Sequence, residues 1–155
     1  MTDTAWLARA VELAVTSVAE GGGPFGALIV KDGQLLSTGQ NRVTRDNDPT
    51  AHAEVQALRS AGRALNNFSL TGCTLFASCE PCPMCAGAAL WARVDRVVYA
   101  ADREDAAAAG FDDSELYRVL AQDRSTWPVQ VTRLGLDTAG TPFDAWREQV
   151  DRTRY

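Results

Sequence analysis

The spacing of apolar residues along the chain changes repeatedly between the periods of helices and strands. From Trp6 to Ser17, apolar or small residues recur every three or four positions, which predicts a helix that ends at the glycines before Pro24. Continuous apolar runs such as Ala27–Val30 predict buried strands, and Asp32-Gly33 predicts the tight turn of a hairpin. The full pattern predicts helices over residues 6–20, 51–65, 81–93, 111–122 and 142–152, and strands over residues 27–30, 35–39, 74–78, 96–100 and 129–134.

Two stretches have no clear period. Residues 41–49 are polar and predict a loop, and residues 102–110 are charged and rich in alanine. Elsewhere strands alternate with helices, which is typical of α/β proteins in which helices pack on a sheet. We therefore predict an α/β fold, a three-layer α/β/α sandwich around a central five-stranded mixed sheet, formed by a single domain of residues 1–155.

The composition is that of an ordinary folded domain. Of 155 residues, 46% are hydrophobic and 23% are charged, and the formal net charge is -5. An acidic chain is poorly suited to a polyanion, because proteins hold phosphate backbones mainly with clustered lysine and arginine. We therefore expect a small, near-neutral substrate and no nucleic-acid partner.

The N-terminal residues give no sign of export. Arg9 and Glu12 interrupt them, so they lack the continuous apolar core of a signal peptide. No stretch approaches the roughly 18 apolar residues that a membrane-spanning helix needs. We expect a cytoplasmic protein without a membrane partner, in which clustered cysteines indicate metal or redox chemistry and not a disulfide framework.

The cysteines and the single histidine carry the clearest chemical signal. Cys79, Cys82 and Cys85 lie within seven positions of one another. His52 begins the sequence His-Ala-Glu at the predicted start of one helix, and Pro-Cys-Pro-Met-Cys opens another helix further along the chain. Together the two segments match the H-x-E…P-C-x-x-C signature of zinc-dependent nucleobase deaminases.

This signature predicts a zinc site with an open position. Cys82 and Cys85 are three residues apart and face the same side of a helix, whose N-terminus stabilises their thiolate charge. His52 adds a neutral nitrogen ligand. Three protein ligands leave the fourth tetrahedral position for water, as in catalytic zinc sites, and zinc lowers the pKa of that water to about 7.

Glu54 has a different predicted role. Residues two apart point to nearly opposite sides of a regular helix, so Glu54 is not expected to be a second ligand beside His52. From the first turn of the helix its carboxylate could reach the bound water and the substrate ring. It would take a proton from the water and pass it to a ring nitrogen and to the leaving amine, as a general acid-base group.

A structural zinc site is the main alternative. His52, Cys79, Cys82 and Cys85 could form a closed Cys₃His centre with no open position. Two features argue against it. Glu54 would then have no role, and Cys79, at the end of a predicted strand, would have to turn back onto the same metal.

Other residues allow two interpretations. Phe25 could belong to a loop that enters a strand, or it could pack on a flat ring. Asn41 is as compatible with a turn as with a ligand contact. Asp112 and Asp113 are predicted first as helix N-capping groups, and Cys73 is predicted to be an inert, buried thiol.

The chain resembles the cytidine-deaminase superfamily and, within it, the bacterial guanine deaminases. The resemblance covers nearly the whole chain and is looser over residues 120–136. Segments shared with relatives that act on tRNA adenosine or cytosine are Pro24–Ala27, Gly39–Asn41, Asn47–Glu54, Ser78–Cys85 and Trp91–Arg93. Segments that resemble guanine deaminases in particular are Ala109–Ser114, Pro142–Arg147 and Tyr155.

The resemblance implies a cytidine deaminase-like fold and roles for further residues. Asp113 would assist the movement of a proton or of ammonia, as a catalytic group beside Glu54. Phe25 would stack on the purine, Asn41 would hydrogen-bond it, and Tyr155 would close the pocket. The substrate-binding residues implied are Phe25, Asn41, Ala53, Trp91 and Tyr155.

The resemblance also implies a homodimer. In that family the C-terminal segment is exchanged between two subunits, so we expect the segment from about residue 102 to be exchanged here. Asp113 and Tyr155 would then serve the zinc site of the partner.

The predicted activity is the hydrolytic deamination of guanine to xanthine and ammonia by a zinc-bound hydroxide, with one zinc ion per chain. The nearest alternative is a deaminase of another free base or nucleoside, such as guanosine, cytosine, adenine or an aminotriazine. The acidic chain makes deamination of tRNA adenosine a less favoured alternative. From a different class, a non-catalytic zinc-stabilised binding module would leave Glu54 without a role.

Overall fold

A computed structural model describes residues 1–155 and contains seven α-helices, one 3-10 helix and four strands. The elements are α1 (Asp3–Ala19), β1 (Gly26–Lys31), β2 (Gln34–Gln40), α2 (Val43–Asp46), α3 (Ala53–Leu65), β3 (Cys73–Cys79), α4 (Pro83–Ala92), β4 (Arg96–Ala101), α5 (Arg103–Ala108), α6 (Ser114–Leu120), a 3-10 turn (Arg124–Thr126) and α7 (Thr141–Glu148). The chain divides into two compact units, residues 1–116 and residues 117–155. No helix has both the length and the apolar character that crossing a bilayer requires.

A mixed sheet in the strand order β2-β1-β3-β4 forms the centre of the first unit. β1 pairs antiparallel with β2 and β3, and β3 pairs parallel with β4. The predicted turn at Asp32 and Gly33 is confirmed, and both residues have the positive φ values, 50° and 73°, that a tight hairpin requires. The parallel pair needs a crossover connection, and α4 lies in that connection.

Helices cover both faces of this sheet, as predicted. The side chains of β1 point alternately to the two faces. Leu28 and Val30 pack in one core cluster with Trp6 of α1, whereas Ala27 and Ile29 pack in a second cluster with residues of α3. All of these side chains are buried, and the transfer of such apolar surface out of water is the main force that holds the layers together.

The predicted fifth strand is wrong. Residues 129–134 form no strand, and the sheet has four strands. Val129, Val131 and Leu134 are exposed. Alternating apolar residues favour an extended backbone, but a strand also needs a neighbour to complete its hydrogen bonds, and this segment pairs with no strand of the chain.

Two segments without a clear period contain short helices. The predicted loop at residues 41–49 includes α2, and the charged stretch at residues 102–110 includes α5. Asp102 caps α5: its side chain accepts from the Asp105 amide at 2.9 Å, and the Asp105 side chain accepts from the Asp102 amide at 3.1 Å. Such a capping box satisfies two amide groups that a helix start leaves free.

The terminal helix α7 ends at Glu148, before the predicted end at residue 152, because the chain becomes extended at Gln149 (ψ 116°).

The start of α3 lies unusually close to β2 at Gly39. A Cβ atom on Gly39 would be 2.1 Å from the Ala53 carbonyl oxygen and 2.6 Å from the Ala57 amide nitrogen. Glycine is therefore the residue that allows this approach. The contact places the helix end that carries His52 and Glu54 against the sheet.

Candidate active site

Two helices begin at candidate metal ligands. His52 is the N-cap of α3 and Cys82 is the N-cap of α4, each with an extended backbone. Pro83 occupies the first position of α4, where its missing N–H costs no helical hydrogen bond. The N-terminus of a helix carries partial positive charge, so both helices favour negative charge on the ligands between them.

His52, Cys82 and Cys85 form a cluster that can hold a metal ion. Their ligand atoms lie within 4.8 Å of one another. The His52 Nδ1 atom is 3.5 Å from the Cys82 Sγ and 3.5 Å from the Cys85 Sγ. Tetrahedral zinc, with a Zn–N bond of about 2.0 Å and Zn–S bonds of about 2.3 Å, would separate nitrogen from sulfur by about 3.5 Å. The residues present therefore fit zinc in both donor chemistry and spacing.

The thiols of Cys82 and Cys85 differ in pKa. The pKa of Cys82 is lowered to about 4, chiefly because Cys82 accepts a hydrogen bond from Cys85. The pKa of Cys85 is raised, chiefly because Cys85 donates that bond and because it is buried. Cys82 therefore ionises more readily than Cys85, and a thiolate is the form of cysteine that binds metals.

Cys79 is close to this cluster but is not part of it. It ends β3, and its Sγ donates a hydrogen bond to the Asp102 carbonyl oxygen at 3.5 Å. Burial raises the pKa of Cys79, so its thiol keeps its proton. This arrangement favours a site of three ligands with an open position over the closed Cys₃His alternative.

Glu54 is buried beside the cluster, with 7% of its surface exposed. Burial raises the pKa of its carboxyl group above the ordinary value, and a hydrogen bond from its own backbone amide partly offsets that shift. A raised pKa makes the carboxylate a stronger base, which suits a group that accepts and returns a proton in acid-base catalysis. Its position and environment are those expected for an acid-base group.

A cavity of about 210 Å³ opens at the cluster. Its walls include five of the predicted site residues: Phe25, His52, Glu54, Cys82 and Asp113. Asp113 is half-buried, and its pKa is raised first by burial and then by the negative charge of Cys82. Among the predicted site residues, the cavity therefore brings together two candidate metal ligands, two carboxyl groups and one aromatic ring.

Comparison with known proteins identifies the family. Residues 1–101 match the cytidine and deoxycytidylate deaminase zinc-binding region. The matched segment includes the three clustered ligands and Glu54. The chain belongs to the cytidine and deoxycytidylate deaminase family.

Relatives of this deaminase differ in how much of the chain they match. Guanine deaminase from Bacillus subtilis (strain 168) is 48% identical over 156 residues, which covers 100% of both proteins. Its X-ray structure matches with a TM-score of 0.97, covering 100% of this chain and 99% of that one. Guanine deaminase from Nitrosomonas europaea is 37% identical, with a TM-score of 0.68 over 70% of this chain and 64% of that one. The tRNA-specific adenosine deaminase of Buchnera aphidicola is 40% identical over 103 residues, 66% of this chain and 68% of its own.

Three predicted substrate-binding residues of this deaminase are not among the residues that line the cavity. Ala53 is buried in the first turn of α3, and Trp91 is 70% exposed near the end of α4. Tyr155 belongs to the second unit, where its ring meets the Trp146 ring edge to face at 6.3 Å. Their contacts with a substrate stay predictions.

Asn41, also outside the cavity wall, is held by the protein itself. Its side-chain Oδ1 accepts hydrogen bonds from the amides of Gly23 and Val43, each at 3.3 Å. These bonds use both lone pairs of that oxygen. The predicted hydrogen bond from Asn41 to a substrate would therefore have to come from its Nδ2 amide.

Phe111, Glu80 and Arg103 belong to the cavity wall but were not predicted there. The Phe111 ring meets the Phe25 ring edge to face, and Arg103 forms an ion pair with Glu80. Glu80 lies within the cysteine motif, and Phe111 lies two residues before Asp113. Their nearness in sequence to predicted site residues could therefore have indicated that they line the cavity. Arg103 has no such signal, because only the folded chain brings it to Glu80.

Proposed function

We propose that this deaminase converts guanine and water to xanthine and ammonia. The observation that carries the proposal is the 48% identity to Bacillus guanine deaminase over the full length of both chains. The tRNA-specific adenosine deaminases match at lower identity, 40% over 66% of this chain for the Buchnera protein and 33% over 97% of this chain for a Streptococcus pyogenes protein. The cavity volume of about 210 Å³ suits a small ligand, since pockets for drug-sized molecules span roughly 300–1,000 Å³.

The charges around the cavity support a substrate without phosphate. Its walls carry the carboxyl groups of Glu54, Glu80, Asp112 and Asp113. The guanidinium group of Arg103 is paired with Glu80. A phosphate group would meet an excess of negative charge here. A neutral base is therefore favoured over a nucleotide or tRNA.

Glu54 is the proton carrier of the proposed reaction. Zinc held by His52, Cys82 and Cys85 would activate a water molecule for attack on the ring carbon that bears the amino group. Glu54 would accept a proton from this water and donate it to the neighbouring ring nitrogen, and would then transfer the proton of the added hydroxyl group to the leaving amine. The bond between the ring carbon and the amino nitrogen breaks, so that oxygen replaces nitrogen and ammonia leaves.

Other residues of the site bind the base and handle the leaving group. Phe25 offers an aromatic face for stacking at the cavity wall. Asp113, half-buried and with a raised pKa, assists the departure of a proton or of ammonia. Asn41, Ala53 and Trp91 complete the proposed contacts with the base.

We also propose that the active form is a homodimer with an exchanged C-terminal segment, in which Tyr155 closes the site of the partner. The exposed segment at residues 129–134 has the pattern of a strand and no strand partner in its own chain, which supports pairing with a second copy. Asp113 lines the cavity of its own chain beside Glu54, which supports an exchanged part that begins after Asp113 and not at about residue 102. The exchanged part therefore corresponds to the second unit, which starts at residue 117.

The proposed setting is the cytoplasm. All four cysteines are free, and the site needs Cys82 and Cys85 as thiolates, which a reducing compartment preserves. A free base as substrate requires neither a nucleic-acid nor a membrane partner.

A substrate panel tests the proposal. The zinc-loaded protein is incubated with guanine, guanosine, cytosine, adenine, an aminotriazine and tRNA, and ammonia is measured together with the product chromatogram. Guanine should be consumed with equal amounts of xanthine and ammonia formed, and tRNA should be unchanged. Consumption of cytosine or a nucleoside with guanine inert would contradict the choice of substrate, and inactivity on every compound would favour a non-catalytic binding module.

A further inference from the structure

Glu80 and Arg103 form an ion pair in the cavity wall. The Arg103 Nε and the Arg103 backbone amide each donate to the Glu80 Oε2 at 3.2 Å, and the Arg103 Nη2 donates to the Glu80 Oε1. The Glu80 side chain is 17% exposed. Three donors on a largely buried carboxylate make this pair more directional than the exposed ion pairs of a protein surface.

On one side, the pair is attached to the loop that leads to the metal ligands. Glu80 lies two residues before Cys82, and its amide donates to the Ala101 carbonyl oxygen at 2.8 Å. The thiol of Cys79 donates to the Asp102 carbonyl oxygen at 3.5 Å. The ends of β3 and β4 are therefore tied together where the ligand loop begins.

On the other side, the pair is attached to α5, whose first residue is Arg103. At the far end of this short helix, the Phe111 amide donates to the Ala106 carbonyl oxygen at 2.9 Å. The Phe111 ring then meets the Phe25 ring, with centroids 5.1 Å apart. A change in the orientation of α5 at Arg103 would therefore move Phe111 relative to Phe25.

We propose that Glu80 and Arg103 are a positioning pair for substrate binding: they set the orientation of α5 against the ligand loop and so hold Phe111 against Phe25 at the cavity wall. The inference rests on the proposed function, since the wall serves to bind a flat base. The pair acts through Phe111 and not on the reacting atoms. Glu54 and the metal ligands are placed by α3 and α4, so loss of the pair weakens binding of the base more than it slows the chemical step.

A double-mutant cycle tests this role. The variants are Glu80→Gln, Arg103→Gln and the double variant, each assayed for zinc content and for kcat and KM with guanine. Each single variant should raise KM about tenfold, in line with the loss of a charge-assisted hydrogen bond. It should keep its zinc and change kcat by no more than about twofold. Because the residues act together, the double variant should resemble a single variant in KM.

A matched control and a second measurement separate positioning from general destabilisation. Arg96→Gln breaks the exposed pair between Arg96 and Asp3, whose atoms are 2.6 Å apart, and should leave KM unchanged. Hydrogen exchange followed by mass spectrometry, without substrate, should be faster over residues 104–113 in Arg103→Gln. Exchange over β1 should stay as in the unmodified protein.

Several results would overturn the inference. They are a double variant whose KM rises by the product of the two single effects, a fall in kcat at constant KM, loss of zinc, and unchanged exchange over residues 104–113. Inactivity of the unmodified protein on guanine would instead contradict the proposed function. The exchange measurement would then still decide whether the pair orients α5.

Discussion

The ring of Phe111 meets the ring of Phe25 edge to face, with centroids 5.1 Å apart and planes at 87°. Phe25 directly precedes β1, and Phe111 follows α5. The contact therefore joins two distant parts of the sequence at the wall of the cavity. It fixes the position of the ring that we propose stacks on the substrate.

We predict that Phe111→Ala weakens binding of guanine. An edge-to-face pair contributes about 0.5–1.5 kcal/mol, so KM should rise about 2- to 13-fold, while kcat should change little because Glu54 and the ligands are unaltered. Steady-state kinetics measure both constants. Phe68→Ala removes an exposed ring outside the cavity and serves as the control. An equal rise in KM in the control would mean that the Phe25 contact has no specific role.

Zinc binding should distinguish Cys79 from Cys85. The Cys85 Sγ lies 3.5 Å from the His52 Nδ1, whereas the Cys79 thiol is bonded to the Asp102 carbonyl oxygen. Cys85→Ser should therefore lose zinc, and Cys79→Ser should keep one zinc ion per chain and most of its activity. Metal analysis after dialysis measures the content. Loss of zinc from Cys79→Ser would favour the closed structural site.

Glu54→Gln should separate metal binding from catalysis. The substitution keeps the shape of the buried side chain but removes the group that accepts and donates protons. We expect unchanged zinc content and circular dichroism, and a kcat at least about 10²-fold lower. Activity near that of the unmodified protein would contradict the proposed mechanism.

Gly39→Ala should destabilise the protein. Its Cβ would lie 2.1 Å from the Ala53 carbonyl oxygen, so the start of α3 would have to move, at a cost of about 1–3 kcal/mol. Gly87→Ala is the control, because a Cβ on Gly87, inside α4, meets no atom within 4 Å, and alanine favours a helix. Urea denaturation should show a lower midpoint for Gly39→Ala alone. Equal midpoints for the two variants would show that β2 and α3 can separate without cost.

Deletion of Tyr155 should reduce guanine turnover sharply while folding and zinc content remain intact. If the C-terminal segment is exchanged, a refolded mixture of this variant with Glu54→Gln should regain partial activity. In the mixed dimer, one site would hold both an intact Glu54 and the Tyr155 of the partner subunit. Mixed dimers confirmed by mass but without activity would show that each chain completes its own site.

Local patterns predicted most of the first unit. The strands before Ala101, the helices before Ala101 other than α2, the turn at Asp32 and Gly33 and the cluster of His52, Cys82 and Cys85 were all expected. Each depends on spacing within a short stretch of chain, such as helical or strand periodicity, turn residues, or two cysteines on one helical turn. The strand predicted at residues 129–134 was wrong because pairing between strands depends on a distant neighbour, which a local pattern does not show.

By itself, the sequence predicted the type of chemistry, because a histidine, two cysteines and a glutamate at these spacings indicate zinc-ligand and acid-base roles. Only the tertiary structure decided the form of the cavity. Glu80 and Arg103 are 23 positions apart, and Phe25 and Phe111 are further apart still. Such contacts depend on how β3, β4 and α5 pack together. Which residues meet is therefore decided by the folded chain and not by their neighbours in sequence.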